Sequence, residues 1–311
     1  MILPSWSWAE KNFSSKHMNE PIQPLEAPVV DKHKVALGDK LFHDPRLSAD
    51  DSISCASCHS LDLGGTDNQP RSLGIKGQLG AVNAPTVFNS GFNLAQFWNG
   101  RASTLEEQAA GPIHNPVEMG SNFKQVIEKL SADREYVQQF QAIYPDQGIT
   151  SETLVDAIAT FERSLVTIDS PFDRYLRGEE HAINAREKRG YELFQDYGCV
   201  ACHQGKNVGG NMYQKFGIMD DYFAKKTLTD ADNGRFSVTG FEEDRFVFKV
   251  PGLRLAVLTA PYFHNGSTET LEEAINTMAH YQLGRTIPKE DVEYIIDFLH
   301  SLVGQYKGKT L

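Results

Sequence analysis

Two five-residue stretches decide the fold of this chain, CASCH at Cys55–His59 and CVACH at Cys199–His203. All four cysteines of the sequence lie in them. In a Cys-x-x-Cys-His unit the two thiols stand one helical turn apart and add to the two vinyl groups of one haem. The histidine that follows lies under the iron as its proximal ligand. A disulfide framework, a zinc site or a thioredoxin-like redox pair also uses paired cysteines. Zinc, however, needs four converging ligands, and a redox pair places no demand for histidine after each second cysteine. Two complete units imply two covalent c-type haems, held by Cys55 and Cys58 and by Cys199 and Cys202, with His59 and His203 as proximal ligands. Covalent haem attachment takes place outside the bacterial cytoplasmic membrane, which gives the periplasm as the expected compartment.

Working outward, each unit follows a similar helix. VALGDKLFHDPRLS carries Gly38 and Phe42, and REKRGYELFQDYG carries Gly190 and Phe194. A glycine followed four residues later by an aromatic puts both on one helix face, open to a crossing helix. Each half closes on an amphipathic helix. SETLVDAIATFERSLV has Leu154, Ala157, Ile158, Phe161 and Leu165 at helical spacing, and PKEDVEYIIDFLHSLV has Val292, Ile295, Ile296, Leu299 and Leu302. Pro288 and the acidic residues after it mark the start of the last helix. The expected fold is all-α, two class I cytochrome c-like domains in tandem with long loops. The boundary is expected near Asp169–Gly178, in IDSPFDRYLRG, where proline and charge interrupt the pattern.

Length suits about two domains, and 40% apolar with 23% charged residues is a globular composition. A formal charge of −11 argues against a nucleic-acid partner, since little here neutralises phosphates. A cationic protein that meets an acidic patch remains compatible with it. No stretch approaches the roughly eighteen apolar residues of a membrane span. Residues 1–20 have neither a basic start nor a long apolar run and are expected to be a leader or flexible N-terminus.

A cytochrome c domain takes its second axial ligand from the stretch before its closing helix. In the second half that stretch offers Met278 and His280, with Met212 and Met219 nearer the haem unit. Met278 is the choice, because a thioether raises the reduction potential of an electron-accepting centre. In the first half, AAGPIHNPVEMG offers His114, Glu118 and Met119. A carboxylate beside an open haem can move a proton between the two oxygens of a peroxide.

The chain closely resembles the bacterial di-haem cytochrome c peroxidases over residues 21–306. The stretches that carry the resemblance are CASCHSLDLGGTDN, NAPTVFNSGFNLAQFWNGRA, EQAAGPIHNPVEMG, EKRGYELFQDYGCVACHQG and LTAPYFHNGS. The resemblance implies a low-potential peroxidatic haem domain at 21–168 and a high-potential electron-transfer haem domain at 169–311. By position Glu118 matches the acid–base carboxylate of the family, Gln108 its neighbour over the peroxide pocket, and Trp98 the tryptophan between the haems. The resemblance also implies one calcium ion, held by the Asn83 side chain and the carbonyls of Thr259 and Pro261, and oxygen donors of this kind suit calcium. It implies a homodimer that takes electrons from a monohaem cytochrome c or a small blue copper protein.

Many members of that family carry a histidine in the loop before NAPT that caps the peroxidatic iron until the other haem is reduced. Counting back from Asn83, the position is Ile75, in RSLGIKGQLG at 71–80. Isoleucine cannot bind iron. Gly74, Gly77 and Gly80 make the loop read as mobile, and ligation by the neighbouring Lys76 would first require loss of its proton and its water. The expectation is a peroxidase that needs no reductive activation. Two other functions stand against it, a di-haem electron carrier and a related di-haem enzyme that oxidises a protein. The latter type places a tyrosine on the second haem, where Met278 stands here with Tyr281 nearby.

Overall fold

In the computed structural model, which describes His17 and residues 19–311, two helix crossings organise the chain. Helix α1 (Lys32–Phe42) packs across α6 (Ser151–Ser164), and α8 (Ala185–Asp196) packs likewise across α11 (Lys289–Ser301). The residues read as a leader lie outside the described residues except at His17, Asn19 and Glu20.

At each crossing the repeated glycine lets two backbones meet. A Cβ at Gly38 would overlap the Ala157 carbonyl oxygen, and one at Gly190 would overlap that of Tyr294. The aromatic four residues on fills the next position of the same face. Phe42 packs on Phe161 and Phe194 on Phe298, each at 5.2 Å between ring centroids. Side-chain volume at such contacts sets how closely helices approach. The ends are fixed locally: Thr150 caps α6, Asn184 and Glu187 form a capping box on α8, and Glu290 and Asp291 occupy the first turn of α11.

Helices α2 (Cys55–Cys58), α3 (Leu105–His114), α4 (Phe123–Ser131) and α5 (Arg134–Ile143) complete the first half. The second adds α7 (Pro171–Leu176), α9 (Phe236–Thr239) and α10 (Leu271–Leu283). The all-α expectation holds, with two short antiparallel ladders added. Strand β1 (Tyr213–Lys215) pairs with β2 (Val247–Lys249), and β3 (Gln305–Tyr306) pairs with β4 (Lys309–Thr310). Two- and three-residue strands are too short to show an alternation.

Each half has its own core. Leu41, Val126, Leu130, Phe140 and Ile158 centre the first, and Phe172, Tyr191, Ile295, Phe298 and Leu302 the second. A third cluster joins Phe42, Phe88 and Phe161 to Leu255 and Val303, and so stitches the halves together.

Two segments differ from the sequence reading. The stretch at 169–178 forms α7, because Ser170 caps it and Pro171 takes its first position, where a missing N–H costs nothing. Phe172 and Leu176 then enter the second core. The segment Glu20–Leu25, assigned from the sequence largely to the first domain, packs on the second half. Ile22 is 1% exposed within that core. Arg254 ties the segment down by donating to the Gln23 carbonyl (2.8 Å) while paired with Asp173 (2.9 Å), both side chains fully buried. An extended segment has no helical period, so nothing in its sequence says which core it joins.

Candidate active site

The first haem unit sits on α2, whose capping box is formed by Ser54 and Ser57. His59 follows, with its Nδ1 3.2 Å from the Gly65 carbonyl oxygen. That carbonyl is held by packing: a side chain on Gly65 would press on Thr86 and Phe88, and the Thr86 hydroxyl donates to the Gly64 carbonyl at 2.6 Å. A histidine that donates from Nδ1 leaves Nε2 for a metal. Burial lowers the pKa of His59, keeping it neutral as a ligand must be. His203 is pushed down to about 4 by burial, and its Nδ1 is buried without a hydrogen bond, near the backbone of Val208 and Pro251.

Burial also raises the Cys55 thiol to about 12 and the Cys199 thiol to about 11 and pushes Cys58 up, and none of the four cysteines is in a disulfide. Among the described residues no three His, Cys, Asp or Glu side chains converge as a zinc site would need. Half-buried thiols one turn apart, each pair followed by a histidine whose pKa burial lowers, fit covalent haem.

Cys199, Cys202, His203 and Met278 line one large, mainly apolar cavity, with Ile295 and Leu299 of α11 in its wall. Of the candidate second ligands, Met278 alone is among its lining residues. Met219 is 61% exposed, and His280 pairs with Asp220 at 3.0 Å on the surface. Tyr281 packs edge-on against Tyr222, with ring centroids 5.1 Å apart.

The cavity reaches the first half at Asn83 and Trp98, and Thr259 and Pro261 of the second half also line it. Trp98 joins the halves by its own hydrogen bonds. Its indole N–H donates to the Asn83 carbonyl (2.9 Å), and its carbonyl accepts from the Lys249 N–H (2.8 Å). The Asn83 amide donates to Gln69 O at 2.9 Å, leaving its side-chain oxygen for a cation.

Glu118 lies in the turn that follows α3, the helix carrying the half-buried Gln108. Asn115 shapes the turn, donating its side-chain amide to Glu118 Oε1 (2.7 Å) and accepting from the Val117 N–H (3.1 Å). Burial raises the Glu118 pKa, against the pull of Arg101 and the Asn115 hydrogen bond. The next residue, Met119, is buried in the core on which Cys55 packs, so the turn lies on the side of the first haem unit. The other two candidates of this stretch are placed elsewhere. His114 is exposed, with Nδ1 against the Ala110 carbonyl, and Met119 is buried in the first core.

The loop at 71–80, read from its glycines as mobile, is tied to the Glu118 turn. Ile75 N–H donates to the Glu118 carbonyl (2.8 Å) and Gln78 Nε2 to that of Pro116 (3.1 Å). The Ile75 side chain is buried, with its tip over Gly120, and Gly74 lies so close to the turn that a Cβ would overlap the Val117 carbonyl oxygen. Lys76 is exposed. Sequence reasoning passed over Arg101, which lies over the Phe97 ring at 3.3 Å, and Asn115. Both stand inside the quoted stretches, where a cation and an amide flank the assigned residues.

A family model described as di-haem cytochrome c peroxidase matches residues 32–181. Cytochrome c peroxidase Ccp of Escherichia coli (strain K12) is 50% identical over 96% of this chain, which spans 64% of that protein's length. Cytochrome c551 peroxidase of Nitrosomonas europaea is 49% identical, with 92% of this chain and 85% of that protein covered. Among solved structures, a MauG-like protein associated with microbial copper homeostasis superposes with a TM-score of 0.78 at 28% identity, covering 96% of this chain and 95% of that one. Those relatives and the two haem units lead to one conclusion: this chain belongs to the di-haem cytochrome c peroxidase family.

Proposed function

We propose that the chain reduces hydrogen peroxide to two waters, taking up two protons and two electrons, with the electrons supplied in the periplasm by a small redox protein. A monohaem cytochrome c or a small blue copper protein fits that role. The observation that carries the reading is the Asn115–Glu118 turn, which holds a carboxylate by one oxygen on the side of the first haem unit. The two haems, when bound, supply the iron and the electrons for cleavage of the O–O bond.

Glu118 handles the proton. With Oε1 occupied by Asn115, Oε2 is the free oxygen; it accepts a proton from one peroxide oxygen and returns it to the other, which departs as water. Burial raises the affinity of the carboxylate for that proton, while Arg101 and Asn115 keep it able to ionise. Gln108, on the preceding helix, orients the peroxide. Trp98 lies between the halves, and its hydrogen bonds to Asn83 and Lys249 fix the electron route. His59 and His203 would each hold a haem iron, and Met278 would complete the site of the 169–311 domain. Asn83, Thr259 and Pro261 would hold one calcium ion between the 21–168 and 169–311 domains, and the active molecule would be a homodimer.

Ile75 brings no iron-binding group to its loop, so the enzyme reacts without prior reduction. The low-temperature electron paramagnetic resonance spectrum of the fully oxidised holoprotein tests this, followed by peroxide added to the same sample. One high-spin and one low-spin ferric haem with immediate reaction is the expected result. Two low-spin haems and no reaction would mean that another side chain occupies the peroxidatic iron.

A further inference from the structure

Lys249 closes β2 at the junction of the halves, and its charge is unmatched. The side chain is 7% exposed, and burial alone pushes its ammonium down to about 8. Among the described residues no carboxylate lies within ion-pair distance of it and none contributes to its titration. The other buried cation here is treated quite differently. Arg254 is 1% exposed but holds Asp173 through two nitrogens and donates to the carbonyls of Gln23 and Lys206. A buried charge without a partner is strongly unfavourable, and such groups ordinarily neutralise or acquire a counter-ion.

Both Lys249 and Arg254 line the cavity that holds Cys199, Cys202, His203 and Met278. No aspartate or glutamate is among the lining residues, although the chain carries a net charge of −11. The excess of positive charge in this one cavity belongs to Lys249, because Asp173 offsets Arg254. The Lys249 backbone is fixed on both sides, opposite Tyr213 in the β-ladder and bonded to the Trp98 carbonyl. Its stem therefore enters the cavity from a set direction.

We propose that Lys249 is the carboxylate anchor of the second haem, its ammonium pairing with a propionate of that haem beside Trp98. The inference rests on the two-haem reading given under Proposed function. A lysine suits a single carboxylate better than a fork of donors would, being a compact point charge. The pairing also leaves a cation near the second iron, which favours its reduced form and keeps the electron-entry site at high potential.

Lys249→Gln and Lys249→Arg holoproteins test this by spectroelectrochemical titration, each haem followed in its own absorption band after the haem-to-protein ratio is measured. In the Gln variant the reduction equilibrium of the second haem should shift about tenfold towards the ferric form, about 59 mV for a one-electron couple. The Arg variant should leave it in place, and the first haem should not move in either protein. An unmoved second haem in Lys249→Gln overturns the proposal. A shift that falls on the first haem does so too, and so does an Arg variant that moves as far as Gln. If Lys249→Gln fails to retain its second haem, recovery of haem content in Lys249→Arg supports the anchor, and a loss common to both overturns it. A wild-type protein with fewer than two haems would instead sink the reading on which the anchor rests, so the two failures are told apart.

Discussion

In both halves a glycine-crossed helix pair carries a Cys-x-x-Cys-His unit, and the halves part company in the chain that returns to the closing helix. The first half returns through α3 and the Asn115 turn, which set a carboxylate beside the haem unit with an exposed guanidinium nearby. The second returns through α10, which brings a thioether into a mainly apolar cavity whose lining holds no acid. Proton transfer needs a titratable group with access to water, and electron transfer needs a site that changes little when its charge changes. One scaffold serves both because the crossing helices do the folding and leave the return segment free to differ.

The largest break in that comparison is expected at Glu118. Glu118→Gln keeps the size and the bond to Asn115 but removes the base. A positioned base is worth roughly 10²–10⁴-fold, or about 3–5 kcal/mol of barrier, so peroxide turnover should fall by that factor while both haem spectra stay as they are. Turnover close to wild type would take Glu118 out of the proton path and leave the first half without its distinguishing chemistry.

Next come the crossings themselves. Gly38→Ala and Gly190→Ala each force a methyl group into a backbone carbonyl of the partner helix. Overpacking of this kind costs about 1–3 kcal/mol, read as a lower midpoint in urea. Equal losses would sharpen the view that the two scaffolds are alike. A loss at one glycine only would show that one half carries the stability.

The repeat was legible in the sequence because it is written in short, local signals: two haem units, two glycine–aromatic pairs, two amphipathic closing helices. Glu118, Trp98 and Met278 were singled out through the resemblance and, for Met278, through the need for a ligand. What stayed hidden depends on long-range packing. Ile22 and Leu25 sit in a segment without periodicity, so their place in the second half could not be read. Lys249 looks like one more polar residue in a three-residue strand until the cavity wall is assembled around it. The loop at 71–80 was misjudged because glycine reports freedom of the chain, whereas the bonds to Glu118 and Pro116 that hold it come from a turn some forty residues on.

Ile75→His supplies the imidazole that the loop lacks and asks whether residue 75 alone sets the state of the first half. If the imidazole takes the iron in about nine molecules of ten, the oxidised protein reacts about tenfold more slowly. Reduction of the second haem before mixing should then restore the rate. A variant as fast as wild type when fully oxidised would mean that the docking of the loop on Glu118, rather than the identity of residue 75, keeps the site open.

The last comparison tests a pair that the repeat itself defines. Phe161 and Phe298 play the same part at their crossings, so Glu162 of α6 corresponds to Leu299 of α11, which lines the second cavity. Glu162 is 5% exposed, one of its oxygens has no hydrogen bond, and burial pushes it up to about 8, with Arg163 pulling down and Glu106 pushing up. An acid whose pKa is raised on folding ionises first in the unfolded chain. Its contribution to stability is therefore intact below about 4.5 and is lost as pH climbs towards 8, at about 1.4 kcal/mol per pH unit. Glu162→Gln should remove that slope, gaining on wild type from about pH 5.5 to about pH 7.5 in urea unfolding. Parallel stability curves would mean that the carboxyl finds a partner once the first haem is in place, and that the acid in α6 belongs to the haem site rather than to the core.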